Sequence, residues 1–254
     1  QWSSSAASDV YKRQGPHRIT SWLGEGSCGQ SYRCESPADS SKGEFRYVKL
    51  ISRELSDRKG FGDFFEQECQ ALLQLEGVGL WPMKDFGIMK WKHWISYEWF
   101  EGKAFNPEPG EGDPASEESQ GFEVLRTLED KLRLEPDSIT KDSLLGLMTD
   151  LHRGLHKAHL NGFIHGNLKP SNILITENES NPLQAWIAEF GLYRFGCFKS
   201  RGEDGNDESE LPTLTLDAQQ SHEMGARFRP KEAQAGVDPE EKWDLFAMGQ
   251  VVRR

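Results

Sequence analysis

The sequence predicts an α+β chain in two lobes, the first rich in strands with a single helix, the second mostly helical and truncated at its C-terminus. Three observations predict this. Residues 18–50 alternate short apolar stretches with turn residues and close on 45–51, FRYVKLI, a β-branched and aromatic run of strand type. The period then changes, with Phe65, Cys69, Leu72 and Leu75 of residues 61–75 recurring at helical spacing. Farther on, Leu144, Met148, Leu151, Leu155 and Ala158 draw an apolar stripe along a long helix that Asn161 and Gly162 close.

The remaining elements fall between these. Residues 82–89 and 93–100 predict two strands, the first broken by Gly87. The stretch 102–121 is rich in Pro, Gly and Glu and has no period, so 103–121 is expected to be an acidic insertion between a first lobe at 15–102 and a second at 122–254. Residues 163–175 and 185–187 predict two short strands around a loop, 192–227 a long polar loop, and 239–252 a last helix. Both ends look cut. Residues 4–14, SSAASDVYKRQ, back-translate in one frame into a transposase adapter, so 1–14 are expected to lie outside the fold, as an artefact or a disordered tail. The other end stops at Arg254 in the middle of a helical pattern with no cap.

Composition excludes several functions. With 36% hydrophobic and 28% charged residues the chain is of ordinary globular type, long enough at 254 residues for two lobes with their own cores. A net charge of -11 disfavours nucleic acid and anionic membranes as partners. No apolar run approaches the ~20 residues that span a bilayer. Cys28, Cys34, Cys69 and Cys197 form no metal-type pair, and a reducing, cytoplasmic setting is expected. His152, His156 and His159 share the long helix at a spacing no better than that of a solvated face.

Three motifs carry chemistry. Gly24, Gly26 and Gly29 make a G-x-G-x-x-G after a strand; without a Cβ, such backbone approaches phosphate oxygens closely. Strand-like sequence follows rather than a helix, and Lys49 comes twenty positions after Gly29, which favours a hairpin over phosphates against a dinucleotide fold. A lysine in that place needs an acidic partner, and Glu68 on the next helix can supply it. Third, His165-Gly166-Asn167-Leu168-Lys169-Pro170-Ser171-Asn172 follows the long helix, and Glu189-Phe190-Gly191 begins 17 residues after Asn172.

In this order the segments resemble the serine/threonine class of eukaryotic-type protein kinases, whose pattern is H-R-D-L-K-P-x-N followed by D-F-G. The resemblance spans roughly 19–250 and implies a two-lobe protein-kinase-like fold. It further implies ATP at Gly24, Gly26, Gly29 and Lys49 and at a hinge-like segment containing Glu98 and Phe100, with Tyr97 as its gatekeeper. It implies Mg2+ at Asn172 and Glu189, and catalytic places for Asn167, Lys169, Lys49 and Glu68. Asp244 and Gly249 resemble the opening of the helix that anchors the family's catalytic loop.

The departures bear on activity. Asn167 stands where the family has the aspartate that accepts the substrate proton, and an amide cannot become an anionic acceptor. Glu189 keeps a carboxylate for metal but is one methylene longer than aspartate, which octahedral Mg2+ tolerates poorly. Gly166 replaces an arginine that grips a phosphorylated loop, and residues 228–232 match the family's A-P-E only loosely. Tyr47 and Ser31 stand where the family encloses adenine with alanine and valine, which weakens ATP binding if the ring points inward. The expected function is a catalytically impaired, nucleotide-binding regulatory module with a protein partner. The alternatives are a divergent serine/threonine kinase with a protein substrate and a gene fragment without function.

Overall fold

The computed structural model describes residues 13–14, 16–26, 28–36, 44–89, 92–100, 126–178, 181–196, 198, 227–232 and 239–253. The acidic insertion, the adapter-like residues up to 12 and residues 199–226 of the polar loop lie outside the described residues.

One antiparallel sheet of six strands builds the first lobe, in the order β1-β2-β3-β4-β6-β5. Its strands are β1 (Arg13–Gln14), β2 (His17–Gly26), β3 (Gly29–Glu35), β4 (Phe45–Ile51), β5 (Met83–Met89) and β6 (Lys92–Glu98). The sheet therefore begins ahead of residue 15, since Arg13 and Gln14 pair with Arg18 and His17. Gly29, at φ +135°, opens β3 so close to its neighbour that a Cβ there would meet the Leu50 carbonyl oxygen at 2.0 Å. Strand β4 is buried on both faces by its alternation. Val48 and Leu50 pack with Cys34 and Trp94 on one side, while Tyr47 and Ile51 join the aromatic core on the other. Lys49 shares the second face, so a buried lysine follows from the period of the strand.

Helix α2 (Phe61–Leu73) covers that face with Phe61, Phe65, Cys69 and Leu72. A one-turn helix α1 (Arg53–Ser56) precedes it, where the sequence predicted a single helix; the Ser52 hydroxyl caps it by accepting from Leu55 N.

The second lobe holds α3 (Leu128–Leu134), α4 (Lys141–Leu160), the hairpin β7 (Ile173–Asn178) and β8 (Asn181–Ile187), α5 (Leu192–Gly196) and α6 (Glu241–Val252). Thr140 caps α4, whose buried stripe is Leu147, Leu151, Gly154, Leu155 and Ala158. The stripe begins at Leu147; Leu144 and Met148, expected on it, are only half-buried. Residues 163–169 are not a strand as predicted. Pro170 opens a 3-10 turn, and the backbone before it bonds a side chain instead of a ladder.

Gly79 joins the lobes. At φ +82° it lies against α4, where a Cβ would meet the Asp150 carbonyl oxygen at 2.0 Å. Its own carbonyl accepts from Ile187 N at 2.7 Å, and Trp81 N donates to Ile187 O at 3.1 Å. On α6, Trp243, Asp244, Ala247 and Val251 are buried, Met248 packs against the core, and Leu245 and Val252 are exposed. No helix among the described residues is long and apolar enough to cross a membrane.

Candidate active site

The loop that follows α4 is held by Asp244, itself buried. Its carboxylate accepts from His165 N at 2.8 Å and Gly166 N at 2.9 Å and lies 2.9 Å from His159 Nε2. His159 thus departs from the solvated face expected for it, because the last turn of α4 packs against α6; His152 and His156 remain exposed. Gly166 sits at φ +70°, and a Cβ there would lie 2.8 Å from the Tyr193 ring, so glycine relieves both strain and crowding.

His165 is wholly enclosed. Its Nε2 lies 2.8 Å from Ala188 O, its Nδ1 accepts from Asn167 N, and its ring meets Phe190 edge-on at 4.8 Å. Burial lowers its pKa, so the ring is neutral with its proton on Nε2. Burial also lowers His17 and His93. For each, the unfolded chain takes up a proton near pH 6.5 and the folded chain only below that. Their stabilising contribution is complete above pH 6.5 and is lost as pH falls. Urea unfolding is expected to show stability dropping from pH 6.5 to 5, by at most about 1.4 kcal/mol per pH unit for each histidine. His93→Phe should remove one share of that slope, because His93 packs on Phe61 and Phe65 and neither ring nitrogen has a partner among the described residues.

A cleft of about 840 Å³ lies between the lobes, and Gly24, Gly26, Lys49, Asn167, Lys169 and Asn172 all line it. The glycine hairpin passes over Lys49, with a Cβ on Gly26 falling 3.5 Å from Lys49 Nζ. Asn167 accepts from Asn172 Nδ2 through its backbone carbonyl at 2.9 Å, while its side-chain Oδ1 is buried with no partner among the described residues.

Lys49 does not meet Glu68. Its Nζ lies 2.6 Å from Glu189 Oε1, and Glu68 pairs with Arg194 at 2.6 Å. The expected Lys49–Glu68 pair is corrected by α5, which begins directly after Gly191 and carries Arg194 to α2; Cys28 Sγ donates to Leu192 O and ties the hairpin to the same helix. Burial would push Lys49 down and Glu189 up, but their mutual attraction overrides it, raising Lys49 and lowering Glu189. For Glu68, burial outweighs Arg194 and the carboxyl is raised. Glu189 stands at φ +64°, a left-handed conformation that costs a residue with a Cβ roughly 1–2 kcal/mol.

These residues fit Mg2+ poorly. The charge of Glu189, the one carboxylate assigned to the metal, is already matched by Lys49, and Asn172 is neutral.

At the hinge-like end, Tyr97 is buried and Phe100 packs on Trp186 at 4.9 Å. Tyr47 points inward, its hydroxyl donating to Ser31 Oγ at 2.6 Å. The Glu98 carbonyl accepts from Trp81 Nε1 at 2.8 Å. The sequence singles out neither Trp81 nor Arg194, because each acts through a partner that only folding supplies.

No family model matches the chain. It is 24% identical over 191 residues to the serine/threonine-protein kinase PknD of Mycobacterium tuberculosis, covering 75% of this chain and 24% of that protein. It is 25% identical over 188 residues to the serine/threonine-protein kinase pkn2 of Myxococcus xanthus, covering 74% and 19%. The chain thus spans about a quarter or less of the length of these relatives. In three dimensions it is similar to the Mycobacterium tuberculosis PknI kinase domain, with a TM-score of 0.56 and 16% identity over 94% of this chain and 73% of that one. A double mutant of the same domain gives a TM-score of 0.58 at 15% identity, covering 94% and 74%. The relatives it matches are serine/threonine-protein kinases, and the chain itself has the α+β protein-kinase-like fold.

Proposed function

We propose that this domain is a catalytically impaired kinase-like module, a pseudokinase that works by engaging a regulatory protein partner. The observation that carries the reading is Asn167, a neutral amide where the resembled pattern has its proton-accepting aspartate. Loss of that acid–base role removes about 100–10,000-fold in rate. The Lys49–Glu189 pair adds support, because it occupies the carboxylate that metal would need.

The test is phosphate transfer from labelled ATP with magnesium or manganese, beside a Lys49→Met variant checked for folding. Incorporation at background in both is expected. Incorporation by the parent chain that disappears in the variant overturns the reading.

A second reading, a slow serine/threonine kinase transferring the ATP γ-phosphate to protein hydroxyls, is favoured by the gathering of Lys49, Lys169, Asn172 and Glu189 in one cleft. Under it, Asn167→Asp raises the rate by about 100-fold or more.

A further inference from the structure

We propose that the base-binding end of the cleft is filled by the chain's own Trp81, whose indole N–H occupies the Glu98 carbonyl, so that ATP is not a ligand of this domain in its native packing. The inference rests on the kinase-like reading of the cleft, which makes the Glu98 backbone and the roof under β4 the place for a purine.

Trp81 offers what a base would offer there: a flat bicyclic ring with one N–H at the right edge. That N–H donates to Glu98 O at 2.8 Å, and the Glu98 amide is itself spent on Pro82 O at 3.0 Å. The indole stacks on Tyr97, with centroids 4.6 Å apart and planes 16° from parallel. Tyr47 meets the indole edge-on at 4.7 Å. Its hydroxyl, donating to Ser31 Oγ at 2.6 Å, closes the roof between β3 and β4. Trp81, Tyr47, Tyr97 and Ser31 are all buried, and Trp81, Tyr47 and Ser31 form a closely packed wall of the cleft.

The indole has nowhere to retreat. Behind it, between Leu72, Leu75, Leu80 and Phe190, is a cavity of about 20 Å³, room for about one water. Its backbone is anchored by Trp81 N to Ile187 O at 3.1 Å, next to the Gly79 contact that joins the lobes. A purine could enter only by expelling a buried ring and breaking its hydrogen bond. The apolar area of a tryptophan makes that worth at least about a 100-fold loss in affinity. The cleft that Trp81 borders is lined also by Lys49, Lys169, Asn172 and Glu189.

The experiment is calorimetric titration of the full chain with ATP, with and without magnesium, beside the variants Trp81→Val/Tyr47→Ala and Trp81→Phe. No saturation of the parent up to millimolar ATP is expected, with the double variant binding at least about 100-fold more tightly. Saturation of the parent within a few-fold of the variant overturns the proposal, and so does a cooperatively folded double variant that still fails to bind. If the double variant does not fold, two measurements decide. Saturation of the parent below 1 mM, or Trp81→Phe binding no better than the parent, overturns the proposal. ATP binding by the parent without phosphate transfer removes this inference and leaves the regulatory reading intact; transfer removes both.

Discussion

Asp244→Ala is expected to destabilise the domain by about 3–5 kcal/mol, the largest effect of any single change considered. The carboxylate is buried and accepts from two backbone amides, His165 N and Gly166 N, while lying within 2.9 Å of His159 Nε2. Hydrogen bonds to a charged acceptor contribute about 1.5–3 kcal/mol each, and their loss leaves two donors orphaned away from water. Asp244→Asn should recover little, since one amide face presents hydrogens to donors. Urea unfolding measures the loss, with exposed Lys242→Ala as a control expected within about 0.5 kcal/mol of the parent. A change under 1 kcal/mol for Asp244→Ala would mean that the loop is held by its own packing.

Lys49→Met is expected to cost about 2–3 kcal/mol with no nucleotide present. The lysine side chain is 5% exposed and that of Glu189 is 25% exposed, and they meet at 2.6 Å. Breaking a fully buried pair costs about 3–5 kcal/mol, and the partial exposure of Glu189 lowers that figure. The effect has a pH signature. In the parent, Glu189 is held low by Lys49, so its contribution is present above pH 4.5 and is lost below it; that of Lys49 is present below pH 10.5 and is lost above. In the variant, the attraction that offsets burial is gone and only weaker influences such as Lys169 still lower Glu189, so its carboxyl shifts upward, and the deficit is widest near neutrality and shrinks toward pH 4. Lys49→Met/Glu189→Gln should restore most of the loss. Equal deficits at pH 4 and pH 7 would contradict this account. A lysine variant of this domain therefore reports on folding as well as on chemistry.

Much of this could be read from the chain because it rests on period and local chemistry. The alternation of β4 put Lys49 on the cleft face, the helical spacing of Phe65, Cys69 and Leu72 gave α2, and the order of the glycine hairpin, Asn167, Asn172 and Glu189 gave the cleft its lining. Each of these is decided within a few residues, where backbone sterics and burial of one face leave few choices. Asp244 was legible through resemblance alone, as part of a short motif at the head of its helix that is similar to the family's.

Pairing across the chain was decided by the tertiary structure alone. Glu68 and Glu189 are both acidic and both within reach of the cleft, and nothing in their spacing tells which takes Lys49; α5 decides it by delivering Arg194 to Glu68. His159 looks like its neighbours on the helix until α6 brings Asp244 against it. Trp81 lies 17 residues before Glu98, and only the junction at Gly79 and Ile187 carries its indole onto that carbonyl. Gly24, Gly26, Lys49, Asn167, Lys169, Asn172 and Glu189 could be assigned to one cleft from the sequence, which missed Trp81. The packing of one lobe on the other determined which of them are already bonded to one another, because a buried charge or N–H takes the nearest partner that folding brings, whatever its distance along the chain.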